Sequence, residues 1–317
     1  MAECEKSFEQ SSRSQLKGIV YASLVVFLFA AFVLVSRSGL STSLHLADIA
    51  ALRFGIGAML LLPFLRIGQV KKFHAVEMLL LAALGGLGFA LLAYAGFALA
   101  PASHGGVLIH GTLALTTYLL IAAFGADGWS PKGRRAGLGL IAIGVIGILW
   151  EGNAATTPEI LLGDLCLIAA SFSWSGYGLY AKKLGIPAVQ AASVVSIWSA
   201  VAFLPFYLFF ADKMLLQADW RDLVIQAGFQ GVLIGAGSIF IYTRATSLLG
   251  PEKVSTFTAA VPCLTLTGGL LFLGERPSST AIVGASLVTA GMVVALRKKR
   301  GPVSKQTNSI VSERITP

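Results

Sequence analysis

Apolar residues fill this chain in long stretches that have no polar face and are separated by short polar punctuation. Ten such stretches follow one another, at approximately 17–36, 46–66, 75–98, 102–124, 135–150, 160–181, 187–210, 222–243, 253–273 and 280–296. Their lengths suit helices that cross a hydrocarbon core, which takes about 17 to 25 residues each. Because they are apolar all round, a period-two alternation, and with it a barrel, is not expected.

The pattern repeats. Gly85, Ala95, Leu99, Pro101 and Thr117 recur as Gly235, Ala245, Leu249, Pro251 and Thr267, each 150 positions later. Five stretches fall in each half, and an odd number inverts the second copy across the bilayer. The expected fold class is therefore an all-α membrane protein of ten transmembrane helices arranged as two inverted five-helix repeats, the arrangement carriers use to build two gates around one site. The expected divisions are a tail over 1–16, a first repeat over 17–150, a connecting loop over 151–159, a second repeat over 160–297 and a basic, disordered tail over 298–317. The first stretch is too long for a removable signal peptide and lacks a small-residue exit, so it reads as an uncleaved span.

Composition agrees: 56% of residues are hydrophobic, only 12% are charged, and the mean hydropathy is +0.78. A net charge of +9 would suit nucleic acid, but 19 of the 24 Lys and Arg fall on one side of the predicted bilayer. Only Arg37, Lys213, Arg221 and Arg276 fall on the other side, and Arg53 lies inside a span. That asymmetry follows the positive-inside rule and predicts both termini in the cytoplasm; the membrane expected is a bacterial inner membrane. The run Arg297-Lys298-Lys299-Arg300 then reads as a stop and an anionic-lipid anchor, with no nucleic-acid partner. Cys4, Cys166 and Cys263 have no metal-ligand spacing, so neither a metal nor a cofactor is expected.

Several segments carry a likeness to a known family. They are Ala51-Leu52-Arg53-Phe54 in the second span, Ala100-Pro101-Ala102-Ser103-His104 entering the fourth, and Ser173-Trp174-Ser175 in the sixth. The most specific are Ala260-Val261-Pro262, then Leu273-Gly274-Glu275-Arg276, then the Gly-rich stretch Gly284 to Gly291. In this order and spacing they resemble the ten-helix EamA-type members of the drug/metabolite transporter superfamily, over roughly residues 17–297. The resemblance implies a carrier, and its better-known members imply amino-acid export. The first half departs from the family pattern: His110-Gly111-Thr112 stands where a proline is common, and Asp127 stands in for a Gly-Glu corner. Trp174 has Phe29 at its counterpart position.

Polar groups at membrane depth are candidate substrate ligands, because burying them in hydrocarbon is costly without a partner or water. Arg53 lies seven residues into the second span, and His110 and Gln230 lie eight into the fourth and eighth. At 1.5 Å per residue all three sit roughly 10 to 12 Å below the same surface. Trp174 and Tyr177, three apart on the sixth span, share a face and form a candidate aromatic wall, and Tyr94 completes the set from the third. Arg53 either holds a substrate carboxylate or ties down helix-end carbonyls; His110 either makes a structural hydrogen bond or serves substrate or protons. His104 is expected to be solvated at the outer mouth. Gly88 and Gly237 are candidate hinges, Pro101 and Glu275 candidate gate elements, and Pro262 is expected to kink the ninth span in its middle and free a carbonyl. Small residues four apart, such as Gly231 and Gly235, Gly133 and Gly137, or Ala281 and Ala285, are expected at helix contacts.

The carboxylates, including Asp48, Asp164 and Glu252, fall near helix ends, so no buried proton-carrying carboxylate is expected. No phosphate-binding loop of the ATPase type occurs. The reading is a non-enzymatic carrier that moves a small organic metabolite by alternating access, an exporter of amino acids or related compounds. The alternatives are an exporter of drugs or other metabolites and, in a different class, a membrane-embedded enzyme or a non-transporting sensor or scaffold. Its partners are a small-molecule substrate and the lipid bilayer; transport is expected by facilitated diffusion, by exchange or with proton coupling through His110, and a monomer is sufficient for a complete path.

Overall fold

The computed structural model describes residues 2–66, 68, 72–124, 135–150, 157–249, 254 and 257–296, with side chains from Ser14 to Ala295. The Asp127 corner, Gly133, loop residues 151–156, Glu252 and the tail from residue 297 lie outside the described residues.

Among the described residues every regular element is helical. Seven helices are long and apolar enough to cross a membrane. They are α1 (Ser14–Leu40), α2 (Leu46–Phe64), α3 (Ala75–Leu99), α4 (Ala102–Phe124), α6 (Pro158–Leu184), α7 (Ala188–Phe210) and α8 (Trp220–Leu249). Three shorter apolar helices, α5 (Arg135–Leu149), α9 (Val261–Phe272) and α10 (Ser279–Ala295), complete a set of ten. Exposed apolar side chains such as Phe27, Ile146, Phe209 and Leu271 cover the outside, as lipid requires of an integral multi-pass membrane protein.

Local chemistry sets the ends. The backbone N–H of His45 donates to Asp48 at 2.9 Å and that of His74 to Glu77 at 2.8 Å, so acidic side chains cap α2 and α3 where the helix dipole favours negative charge. Thr157 caps α6 with Pro158 behind it, and Gly185, left-handed at φ 63°, ends it. A second left-handed glycine, Gly274 at φ 66°, ends α9. There the N–H of Glu275 donates back to the carbonyl of Gly269 at 3.1 Å, closing seven residues into the turn that ends the helix.

Helices pair in a self-repeating scheme. α1 packs on α8 and α9, while α6 packs on α3 and α4; α2 packs on α8, while α7 packs on α3. Moving each helix five places along the chain turns the first member of each pair of statements into the second. The pairs α2–α7, α4–α9 and α5–α10 map onto themselves.

Glycine makes the closest of these approaches possible. A Cβ on Gly57 of α2 would sit 3.0 Å from the carbonyl carbon of Gly235 in α8. A Cβ on Gly144 of α5 would lie 2.8 Å from the carbonyl oxygen of Gly284 in α10. Gly231 meets Ile56, and Ala281 and Ala285 are buried, so these small residues serve contacts within the chain.

Three helices leave the α-helical ladder for wider π-helical turns: α3 over Ala83–Leu87, α4 over Gly106–Gly111 and α8 over Ala227–Ser238. Serines on neighbours bond the backbone there. Ser199 of α7 accepts from the N–H of Leu87 at 3.1 Å, Ser196 donates to the carbonyl of Gly235 at 2.7 Å, and Ser173 of α6 donates to that of Leu84 at 2.8 Å.

Pro262 differs from expectation. It occupies the first turn of α9, where its missing N–H has no bond to break, and the interruption falls before it, at residues 259–260. The carbonyls of Val261 and Pro262 accept from the Thr265 hydroxyl at 3.1 and 3.0 Å.

Gly144→Leu should lower the stability of detergent-solubilised protein by about 1–3 kcal/mol through overpacking. Gly139→Leu, on the same helix with nothing within 4 Å, should leave it near wild type. Thermal unfolding of both variants side by side checks the contrast.

Candidate functional site

At the centre of the bundle Arg53 of α2 lines a small cavity together with Phe29, Phe32, Phe89, His110 and Trp174. Arg53 is 4% exposed, and no carboxylate pairs with it among the described residues. Its guanidinium carbon lies 5.2, 5.9 and 5.8 Å from the ring centres of Phe32, Phe54 and Phe89. Ring faces attract a cation by about 0.5–2 kcal/mol each, so they soften the burial of this charge without neutralising it.

One polar chain holds the guanidinium. Nη1 of Arg53 donates to the Tyr94 hydroxyl at 3.5 Å, Tyr94 donates to Oε1 of Gln230 at 2.9 Å, and Nε2 of Gln230 donates to Ser36 at 2.8 Å. Four helices, α2, α3, α8 and α1, are thereby linked. Gln230 therefore reaches the cavity through Tyr94 and does not line it.

His110 and Trp174 line the same cavity as Arg53. His110 sits in the π-helical part of α4, 2% exposed, and its Nδ1 has no hydrogen-bond partner. Phe29 lies against it at 4.6 Å between ring centres, meets Trp174 edge-on at 6.1 Å and stacks with Tyr242 at 6.0 Å. Trp174 also packs on Phe89 at 4.9 Å and on Tyr177 at 5.4 Å. Tyr177 thus backs Trp174 from behind. The cavity combines one uncompensated cation, one imidazole and a wall of aromatic rings, a set able to hold an anionic group at one side and an apolar body at the other.

Of the residues singled out in the sequence, Arg53, Tyr94, His110, Trp174, Tyr177 and Gln230 form this one cluster. Phe29, Phe32, Phe89, Ser238 and Tyr242 belong to it as well. Among these, only Phe29 had a signal in the sequence, as the repeat counterpart of Trp174. The hinge candidates lie at the π-helical turns: Gly88 directly follows the one in α3, and Gly237 is within that of α8.

One end of the bundle is tied separately. Arg37, at the end of α1, donates from Nε to Oε1 of Glu275 at 3.2 Å and from Nη1 to the carbonyls of Phe97 and Ala98 at 2.7 and 3.1 Å. The other oxygen of Glu275 accepts from the N–H of Ala102 at 2.8 Å, just past Pro101, which starts α4. Glu275 therefore joins α1 and the α9–α10 corner to the first turn of α4.

Two expectations about polar groups are overturned at this level. His104 is not solvated: it is 3% exposed, and its Nδ1 lies 2.8 Å from Oδ1 of Asp164 on α6. Carboxylates near helix ends are not thereby wet, since Asp48 and Asp164 are both 0% exposed. Asp48 accepts from the Tyr207 hydroxyl at 2.6 Å and from the N–H of Met214, because α7 and the chain after it fold over the start of α2.

The helical set and its central cationic, aromatic cavity define a multi-pass all-α membrane protein. The EamA-like transporter family matches residues 161–297, a little under half of the chain. The chain is similar to a probable amino-acid metabolite efflux pump of Salmonella typhimurium, 27% identical over 187 residues covering 54% of this chain and 61% of that protein. The probable amino-acid metabolite efflux pump of Escherichia coli is 25% identical, covering 51% of this chain and 56% of that one. The uncharacterized transporter YetK of Bacillus subtilis is 26% identical, covering 52% and 49%. The chain thus matches about half to three-fifths of the length of these relatives. A solved crystal structure shares the fold at a TM-score of 0.58 and 19% identity, covering 90% of this chain and 96% of that one.

Tyr94→Phe should destabilise the protein by about 1–3 kcal/mol, because it leaves Oε1 of buried Gln230 without its donor. Tyr94→Phe and Gln230→Leu combined should cost less than the sum of the two, by about 0.5–3 kcal/mol, as partners in one network do. Additive thermal shifts would show that the two side chains act independently.

Proposed function

We propose that this protein is a carrier that moves small organic carboxylates, amino acids foremost, across the membrane by alternating access around the Arg53 cavity. The carrying observation is a buried guanidinium with rings around it and no carboxylate partner among the described residues. Sealing a charge in a protein interior costs several kcal/mol unless it is paired, and a substrate carboxylate supplies the missing partner through the guanidinium fork. The aromatic wall of Phe29, Phe89 and Trp174 then receives the rest of the molecule, and His110 stands where it can bond a second polar group.

The two halves, 17–150 and 160–297, act as inverted repeats that rock about this site. The self-repeating helix pairs support that reading, and so do glycine-rich π-helical turns at corresponding places in α3 and α8. The charge asymmetry of the loops orients both termini to the cytoplasm of a bacterial inner membrane and puts the Arg37–Glu275 tie on the outer face. Opening on that face separates Glu275 from the first turn of α4. Export fits the names of the relatives, one chain carries both halves, and the chemistry is transport without bond-making.

Vesicles reconstituted with the purified chain should accumulate or release radiolabelled amino acids faster than empty vesicles, and weak acids and cationic drugs more slowly than amino acids. Flux of cationic drugs alone would favour the drug-export alternative, and flux of none of the three classes would overturn the carrier reading. Arg53→Ala should lower amino-acid flux about ten- to a hundredfold, the worth of a charge-assisted hydrogen bond of roughly 1.5–3 kcal/mol, with the protein still monodisperse. His110→Ala should impair the flux less, and wild-type rates in both variants would assign the two residues to structure alone.

A further inference from the structure

His104 and Asp164 have no place in the cavity chemistry, yet they form a titratable pair sealed inside the protein. Their side chains are 4% and 0% exposed, and Nδ1 of His104 lies 2.8 Å from Oδ1 of Asp164. The second carboxyl oxygen, Oδ2, has no hydrogen-bond partner. With Asp164 ionised and His104 neutral, the pair carries one net negative charge in a buried site where Oδ2 of Asp164 has no protein partner among the described residues, an arrangement that a low-dielectric interior disfavours. One added proton makes the pair net neutral, whichever of the two groups carries it.

The position of the pair gives this proton a consequence. His104 is in the first turn of α4, two residues beyond the Ala102 N–H that Glu275 grips. Asp164 is on α6, beside Gly163, whose Cβ would meet the Leu99 side chain at 2.9 Å and the Ala100 backbone at 3.1 Å. The pair therefore closes the α4–α6 seam at the same end that Glu275 closes between α4 and the α9–α10 corner. Parting of α4 from α6 is the movement that would expose the pair to water.

Among the described residues, the titratable and charged side chains at this end of the elements packed here include Arg37 of α1, Glu275 and Arg276 of the corner, Tyr94 of α3, and Glu159 and Cys166 of α6, while His110 and Tyr118 lie further along α4 and Tyr177, Tyr180, Lys182 and Lys183 further along α6. Arg37 and Glu275 neutralise each other at 3.2 Å, Tyr94 is spent on Gln230, and Glu159 is exposed.

We propose that His104 and Asp164 form a proton-binding site that holds one proton while the Arg37 end is closed and releases it to the water on that side when the end opens. Resting on the carrier reading, the proposal makes opening of that end depend on the pH of that side alone. The closed form binds one more proton, so lowering the pH there favours closure, by up to about tenfold per pH unit for a single linked proton.

Infrared titration of the full chain in lipid nanodiscs reads the proton directly. Wild type should show a buried carboxylic C=O stretch or a histidine band that titrates with pH and is missing from Asp164→Asn, with His104→Gln shifting the same signal. In vesicles of one orientation, flux of labelled threonine and phenylalanine should fall as the pH drops on the Arg37 side and not on the other. That dependence should be flattened in both variants. A difference spectrum without any Asp164- or His104-dependent titrating band would overturn the proposal, as would the same one-sided pH dependence in wild type and both variants. Absence of flux from every preparation would instead count against the carrier reading, and the infrared titration would still decide the proton site.

Discussion

Hydrocarbon offers no partners for backbone polar groups, and this constraint organises the molecule more than any single contact. Each wide turn in α3 and α8 loosens the helical hydrogen-bond ladder, and in lipid the loosened groups need partners from another helix. Ser196 and Ser199, three apart on α7, supply them for both: one reaches the carbonyl of Gly235 in α8, the other the N–H of Leu87 in α3. Helix α7 thus touches the two irregular segments with adjacent turns of one face. The irregular segments persist because their partners are fixed, and their positions fix where α2, α3, α7 and α8 cross.

Close crossing in turn depends on glycine. Where Gly57 and Gly235 face each other, the α2 and α8 backbones come near enough that a methyl group would not fit without displacement. That proximity carries Arg53, one helical turn before Gly57, into the interior beside Phe32 and Phe89. Were α2 further from α8, Arg53 would have room for water or lipid headgroups, and its long side chain would snorkel out. The buried cation is therefore a consequence of small residues elsewhere on the same helix.

Much of this was legible in the chain and some was not, for physical reasons. Apolar runs all round a helix identify spans without reference to partners, so the ten stretches match ten helices to within a few residues, except that α8 runs on to Leu249 and the ninth stretch is interrupted at residues 259–260, with α9 starting at Val261. The exception has a cause: Pro262 is as comfortable in a first turn as it is disruptive in a middle, and sequence alone does not say which. Depth counting brought Arg53, His110 and Gln230 to one level because rise per residue is nearly constant. It did not show that Gln230 acts through Tyr94, since that depends on rotation about the helix axis. Phe32 and Phe89 were invisible among 19 phenylalanines. His104 and Asp164 were misjudged for the converse reason: closeness to a helix end was taken as closeness to water, but neighbouring helices overlap those ends.

The pairing of helices repeats between the halves and the polar groups do not, and the aromatic centre shows how the two facts fit together. Phe29 and Trp174 are counterparts in the repeat, and they touch each other edge-on at 6.1 Å, as residues near an axis relating two halves must. Around that contact the chemistry is one-sided: Arg53 comes from the first half, and His110 also comes from the first half, with Ala260 at its counterpart position. A symmetric backbone lets either half move against the other at similar cost. On the carrier reading proposed above, an asymmetric lining would tie the ligand's charged group to α2 in the first half and leave its apolar part against rings from both. Motion and selectivity would then rest on different atoms, the first on backbone features that recur, such as Gly85 and Gly235, and the second on side chains that occur once.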